Sequence, residues 1–218
     1  KNFILNSELP NILSRYSYAG EEIVDLERFG LLERKAPKLC ADRIDYALRE
    51  FYYWAAPEVI QICLDNLRIY DGRIVFESKH AAFLFGENYM KLQTKHWGDA
   101  ETVLRYHLFS NVLKLALKEK TISADDFYKD DDYILSKVKQ SKNPEIHKVL
   151  GLLRHKLDYN IVEKNSQVSL KKKFRYVDPE FVENGIVFSL SEKDEDYRKL
   201  LDGCRASNQK GINAVFLH

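Results

Sequence analysis

The chain has 218 residues, 45% of them hydrophobic, with 34 Lys and Arg against 33 Asp and Glu and a net charge of +1. That length fits one domain with an appendage and can bury a proper core, and the balanced charge gives no reason to expect a nucleic-acid or membrane-surface partner. No apolar run approaches the roughly 18 residues of a membrane span, and no signal-peptide pattern is legible. The three cysteines, Cys40, Cys63 and Cys204, show no C-x-x-C or zinc spacing. They are expected as buried reduced thiols, which suits a cytoplasmic compartment.

Residues 8–28 predict one or two short amphipathic helices. Phe29-Gly30 and the stretch 33–37 then lead into a helix over 37–56, because Pro37 suits a first helical position and Pro57 sets the limit. At roughly 100° per residue, Asp42, Asp45, Tyr46, Arg49 and Tyr53 fall on one stripe. Ile44, Ala47, Leu48 and Phe51 fall on the opposite stripe, and Tyr52 and Trp54 add aromatic bulk. The expected helix is central, with Ile44, Leu48 and Phe51 buried and with Asp42 and Tyr46 lining a cavity. A carboxylate buried there needs a cation or a hydrogen-bonded partner.

After Pro57 a second helix carries Val59, Ile60, Ile62, Cys63 and Leu67. Residues 67–76 alternate around Asp71-Gly72 and predict a β-hairpin. Ser78 can cap a helix to about Leu92, and Asp99 another to about Lys118. Asn143-Pro144 opens a helix ending near Leu157. From about Val162 the character changes. Strands are predicted at 168–177 and 185–190, an amphipathic segment at 193–204, and a last strand at 212–217.

The block Ala41-Asp42-Arg43-Ile44-Asp45-Tyr46-Ala47-Leu48-Arg49-Glu50 resembles the last motif of the HD-domain metal-dependent phosphohydrolases, the deoxynucleoside triphosphate triphosphohydrolases among them. Weaker likenesses follow in the right order at 74–76, 122–127 and 174–179. The family's motif is a His, a His-Asp pair and a distant Asp that together ligate metal. The resemblance implies that Asp42 is that distant ligand, that Arg43 touches substrate phosphate, that Tyr46 packs by the sugar and that Glu50 contacts its hydroxyl. The family's usual residue at the last position is Asp, so Glu50 is a departure. Implied too is a divalent ion in the intact parent, Mn, Fe, Mg or Zn, whose bound water attacks phosphorus.

Chemistry alone leaves alternatives. Asp42 can instead pair with Arg43 or Arg49 on a solvated face, and Arg49 has the i,i+4 spacing for an ion pair with Asp45. Tyr46 can be a core tyrosine. Around His107, Arg105 and Tyr106 form a cluster, read as structural in preference to catalytic. Lys171, Lys172, Lys173 and Arg175 can attract a phosphate or a nucleotide effector, or can simply guard a strand edge.

None of the six histidines (His80, His96, His107, His147, His155, His218) is followed by Asp, and residues 1–41 contain none. The expectation is therefore the C-terminal part of a longer enzyme, with a degenerate, non-catalytic HD-fold binding or regulatory module as the alternative. The fold expected is mainly α: an HD-like helical body over 1–161 and a small α+β subdomain over 162–218. The partners expected are a small phosphorylated substrate such as a nucleotide, and either a second copy or the N-terminal part of the same protein.

Overall fold

The computed structural model describes residues 1–25 and 28–217. Leu26 and Glu27, near the end of the expected 8–28 helical stretch, and His218 lie outside the described residues. Among the described residues the chain is mainly helical with small sheets, so the mainly α composition with a C-terminal mix of helix and strand holds.

In chain order the elements begin with three short helices, α1 (Asn2–Leu5), α2 (Leu9–Ser14) and α3 (Gly20–Val24). Next come α4 (Ala41–Trp54), α5 (Pro57–Asn66), β1 (Leu67–Tyr70), β2 (Arg73–Phe76) and α6 (Lys79–Leu92). A π-helical turn at Gln93–Trp97 precedes α7 (Ala100–Lys118). A 3-10 turn at Ala124–Tyr128 leads to α8 (Asp131–Lys139) and α9 (Pro144–Leu152). The remainder is β3 (Tyr159–Ile161), β4 (Val168–Leu170), β5 (Glu180–Glu183), β6 (Ile186–Ser189), α10 (Leu190–Lys193), α11 (Glu195–Gln209) and β7 (Ile212–Phe216).

Two compact units result, residues 1–92 with 175–204 and residues 93–174 with 205–218. This divides the chain differently from the expected 1–161 and 162–218. In the first unit a four-stranded sheet runs in the order β1-β2-β5-β6. Asp71 and Gly72 both take positive φ, the pair of left-handed residues that a two-residue hairpin turn requires. Asn184 and Gly185 do the same between β5 and β6. The two hairpins join through a parallel β2–β5 contact, Phe76 beside Phe181. The core of this unit is aromatic, with Phe85 5.5 Å from both Phe51 and Phe76 and 6.1 Å from Tyr89. Gly86 lets α6 lie against the Tyr197 ring, whose hydroxyl donates to the Val177 carbonyl at 2.7 Å.

The second unit packs α7 on α8 and α9 around Val112, Ala116, Ile122, Ile134, Val138 and Ile146. A smaller cluster of Leu104, Leu157, Ile212 and Ala214 lies by the sheet β3-β7-β4. Asp99 caps α7 by accepting from the Glu101 amide at 3.0 Å, and Asn143 caps α9 in the same way at 2.8 Å. The strand expected over 168–177 ends at Leu170. Beyond it two buried amide side chains replace a ladder, since Gln93 donates to the Lys173 carbonyl at 3.1 Å and Asn208 to that of Lys172 at 3.0 Å. The helix expected to reach Leu157 ends at Leu152, and Arg105 collects the Leu153 and His155 carbonyls just past it.

Candidate functional site

Helix α4 begins at Ala41, not Pro37, because the preceding loop supplies its first acceptors. The Ala41 amide donates to Leu31 at 2.7 Å and the Asp42 amide to Leu32 at 3.2 Å, so carbonyls of the loop satisfy donors that a helix start leaves open. Pro37, in cis after Ala36, belongs to that loop. Arg43 reaches back to close it. One guanidinium nitrogen donates to the Lys38 carbonyl and lies 3.2 Å from the Cys40 sulfur. The other donates to the Arg34 carbonyl at 3.1 Å and faces Glu33 at 3.4 Å.

The helix then presents three sides. Ile44, Ala47 and Phe51 are buried. Asp42, Tyr46 and Glu50 follow at four-residue steps along another side. Asp42 is exposed, while Tyr46 and Glu50 are half-buried. The Tyr46 hydroxyl lies 2.6 Å from that of the buried Tyr89 on α6. Burial, and then this hydrogen bond, push the Tyr89 phenol above its ordinary range, against the pull of Arg43 and Arg175. Tyr89 therefore stays protonated beside Tyr46.

On the third side lie two clefts. One of about 610 Å³ is bordered by Ile44, Asp45, Leu48, Leu64, Ile69 and Ile74. The other, of about 490 Å³, shares Asp45, Leu48 and Leu64 and extends to Arg49, Tyr52 and Tyr53. Three expectations change here. Neither cleft is lined by Asp42 or Tyr46, since Tyr46 is turned into its pairing with Tyr89. Leu48 is half-buried and borders both clefts, where a core position was expected. Tyr52 and Trp54, expected to add bulk to a central helix, are 73% and 59% exposed, while Tyr53 borders the second cleft. Arg49 pairs with Asp45 at 2.5 Å as its spacing predicts.

Arg105, Tyr106 and His107 sit on α7 in the other unit. Arg105 is held by Glu101 at 2.9 Å, and His107 lies 3.1 Å from Asn111 on its own helix. Both residues therefore have structural partners there. The residue that sequence reasoning missed at the α4 site is Tyr89. The i,i+4 pair Phe85/Tyr89 marks the inner face of α6, but nothing in the pattern names Tyr46 as its partner.

No protein-family model matches the chain. It is 33% identical over 214 residues to the uncharacterized protein YdhJ of Bacillus subtilis, covering 96% of this chain and 65% of that protein. It is 22% identical over 160 residues to the metal-dependent phosphohydrolase cns2 of Cordyceps militaris, covering 69% of this chain and 46% of that protein. The chain thus spans less than two thirds of the length of both relatives. The second likeness supports distant homology to a metal-dependent phosphohydrolase and nothing finer.

Proposed function

We propose that the chain is the C-terminal portion of an HD-type metal-dependent phosphohydrolase acting on a nucleotide or another small phosphate ester, with Asp42 as a metal ligand. The observation that carries this reading is the distant phosphohydrolase homology, together with the place of Asp42 on the first turn of α4 inside the 41–50 block. Tyr46 and Glu50, on the same side of the helix, are assigned to the sugar and its hydroxyl. Both terminal nitrogens of Arg43 are engaged by its own loop, so its first task in this reading is to hold residues 33–40 in place beside Asp42.

Among the described residues, no three His, Cys, Asp or Glu side chains are grouped to hold a metal ion. One carboxylate does not make a transition-metal site. The reading therefore takes the remaining ligands, and the cover of the α4 clefts, from another part of the polypeptide. A degenerate binding or regulatory module is the second reading, favoured by the engagement of Arg43 with its own loop.

The test uses the full-length protein. Asp42→Ala should abolish metal-dependent hydrolysis across a panel of nucleotides and phosphate monoesters and lower the metal content, while the thermal midpoint barely moves. Unfolding of this variant with unchanged metal content would make Asp42 a structural residue. A wild-type protein that hydrolyses nothing on the panel with Mn²⁺ supports the binding module.

A further inference from the structure

Helix α7 is apolar over a broad arc. One side is consumed by the core, where Leu104, Val112 and Ala116 are fully buried. Beside it run Thr102, Tyr106, Phe109, Leu113 and Leu117 at i+3 and i+4 steps, a stripe whose half-buried Phe109 and Leu113 also pack against that core. Tyr106 is 72% exposed on this stripe, and Phe127, beside its far end, is 47% exposed. Two clefts open along it, one of about 380 Å³ by Arg105, Tyr106 and Leu153, the other of about 260 Å³ by Leu113, Phe127 and Asp131. Phe109 borders both and so marks the middle. An apolar helix side of this kind is a contact surface more often than bare protein exterior.

We propose that this stripe binds a second copy of the chain, antiparallel about a two-fold axis close to Phe109. The charges at its two ends choose that occupant. At the Leu153 end stand the exposed Arg154, His155 and Lys156. At the Phe127 end stand the exposed Asp125, Asp130, Asp131 and Asp132, with Lys129 among them. Lys114 and Lys118 fall well round the helix from Phe109, away from the stripe. A copy packed antiparallel lays each basic end on an acidic end, and two-fold symmetry makes every such contact twice. Parallel packing would set like charges together. The stripe follows a helix about 28 Å long at 1.5 Å per residue.

The proposal does not depend on the α4 site and is tested without reference to activity. Sedimentation of the full-length protein across a concentration series should show a monomer–dimer equilibrium. Tyr106→Glu should weaken it by roughly tenfold or more, because it sets two carboxylates near the axis. Arg154→Glu and Asp131→Arg should each weaken it by roughly threefold, and the double variant should recover the original dimer. Circular dichroism should show all four variants folded, since the positions are exposed. A chain that stays monomeric at every concentration overturns the proposal. So does a dimer indifferent to Tyr106→Glu, or a double variant as weak as its two singles combined.

Discussion

The hydroxyls of Tyr46 and Tyr89 stand 2.6 Å apart, which ties the candidate-site side of α4 to the buried side of α6. Their rings are 6.2 Å apart, and Tyr89 continues into Phe85 and through it to Phe51 and Phe76. Position and chemistry at Tyr46 are thus coupled to the aromatic core. Tyr46→Phe keeps the ring and removes the hydrogen bond, so it should cost about 1 kcal/mol of stability. Denaturant unfolding of this chain measures it. An unchanged midpoint would mean that the hydroxyl pair contributes nothing to folding.

Arg43 should matter to stability more than its place on a helix surface suggests. Its side chain is only 13% exposed and its donors serve two carbonyls of the 33–40 loop as well as Glu33. Arg43→Ala should cost roughly 1.5–3 kcal/mol, the scale of hydrogen bonds from a charged group. Arg43→Lys should recover little of that, because an ammonium cannot span the fork. Equal midpoints for the wild type and Arg43→Lys would contradict the clamp.

Gly86 has no room for a methyl group. A Cβ there would come within 2.6 Å of the Tyr197 ring, which is itself fully buried and anchored at the Val177 carbonyl. Although alanine favours helix, Gly86→Ala should destabilise the protein by roughly 1–3 kcal/mol through overpacking. A thermal midpoint that rises on this change would show that the ring yields freely.

Asp126 makes the protein acid-sensitive. The Ser123 amide donates to its carboxylate at 2.7 Å and the Lys137 ammonium to both oxygens at 3.0 Å, which lowers its pKa to about 2. The unfolded value is near ~3.9, so the folded state favours the ionised form. Its contribution is fully present above pH ~4 and is lost as the pH falls toward about 2. Asp126→Asn should lower stability at neutral pH and flatten the acid limb of a stability–pH curve. Parallel acid limbs in the two proteins would assign the loss to other carboxylates.

Local chemistry made much of this fold legible. The Asp71-Gly72 turn and the caps at Ser78, Asp99 and Asn143 all depend on residues a few positions apart. Asn184-Gly185 carried the same hairpin signal as Asp71-Gly72 and would have marked β5. Likewise Asp130, with Ile134 and Val138 following, would have marked α8. The rest depends on distant partners that periodicity does not record. Helix α4 starts at Ala41, four residues after Pro37, where the Leu31 and Leu32 carbonyls accept from its first amides. The Lys171–Lys173 run read as a strand because nothing local reveals Gln93 and Asn208 waiting for its carbonyls. Leu48 looked like a core residue because its stripe neighbours Ile44 and Phe51 are core residues.

The two units are interleaved along the chain, the first needing residues 175–204 and the second 205–218. During synthesis, β2 is made long before β5, the strand it pairs with, so its outer edge waits while the whole of 93–174 emerges. Unit one closes only after that excursion, and unit two only when residues 205–218 follow. No single cut in the chain releases either unit whole. A nick anywhere between 93 and 174 leaves each unit dependent on two separate polypeptides, so the intact backbone between the two halves acts as a tether that keeps them at high effective concentration.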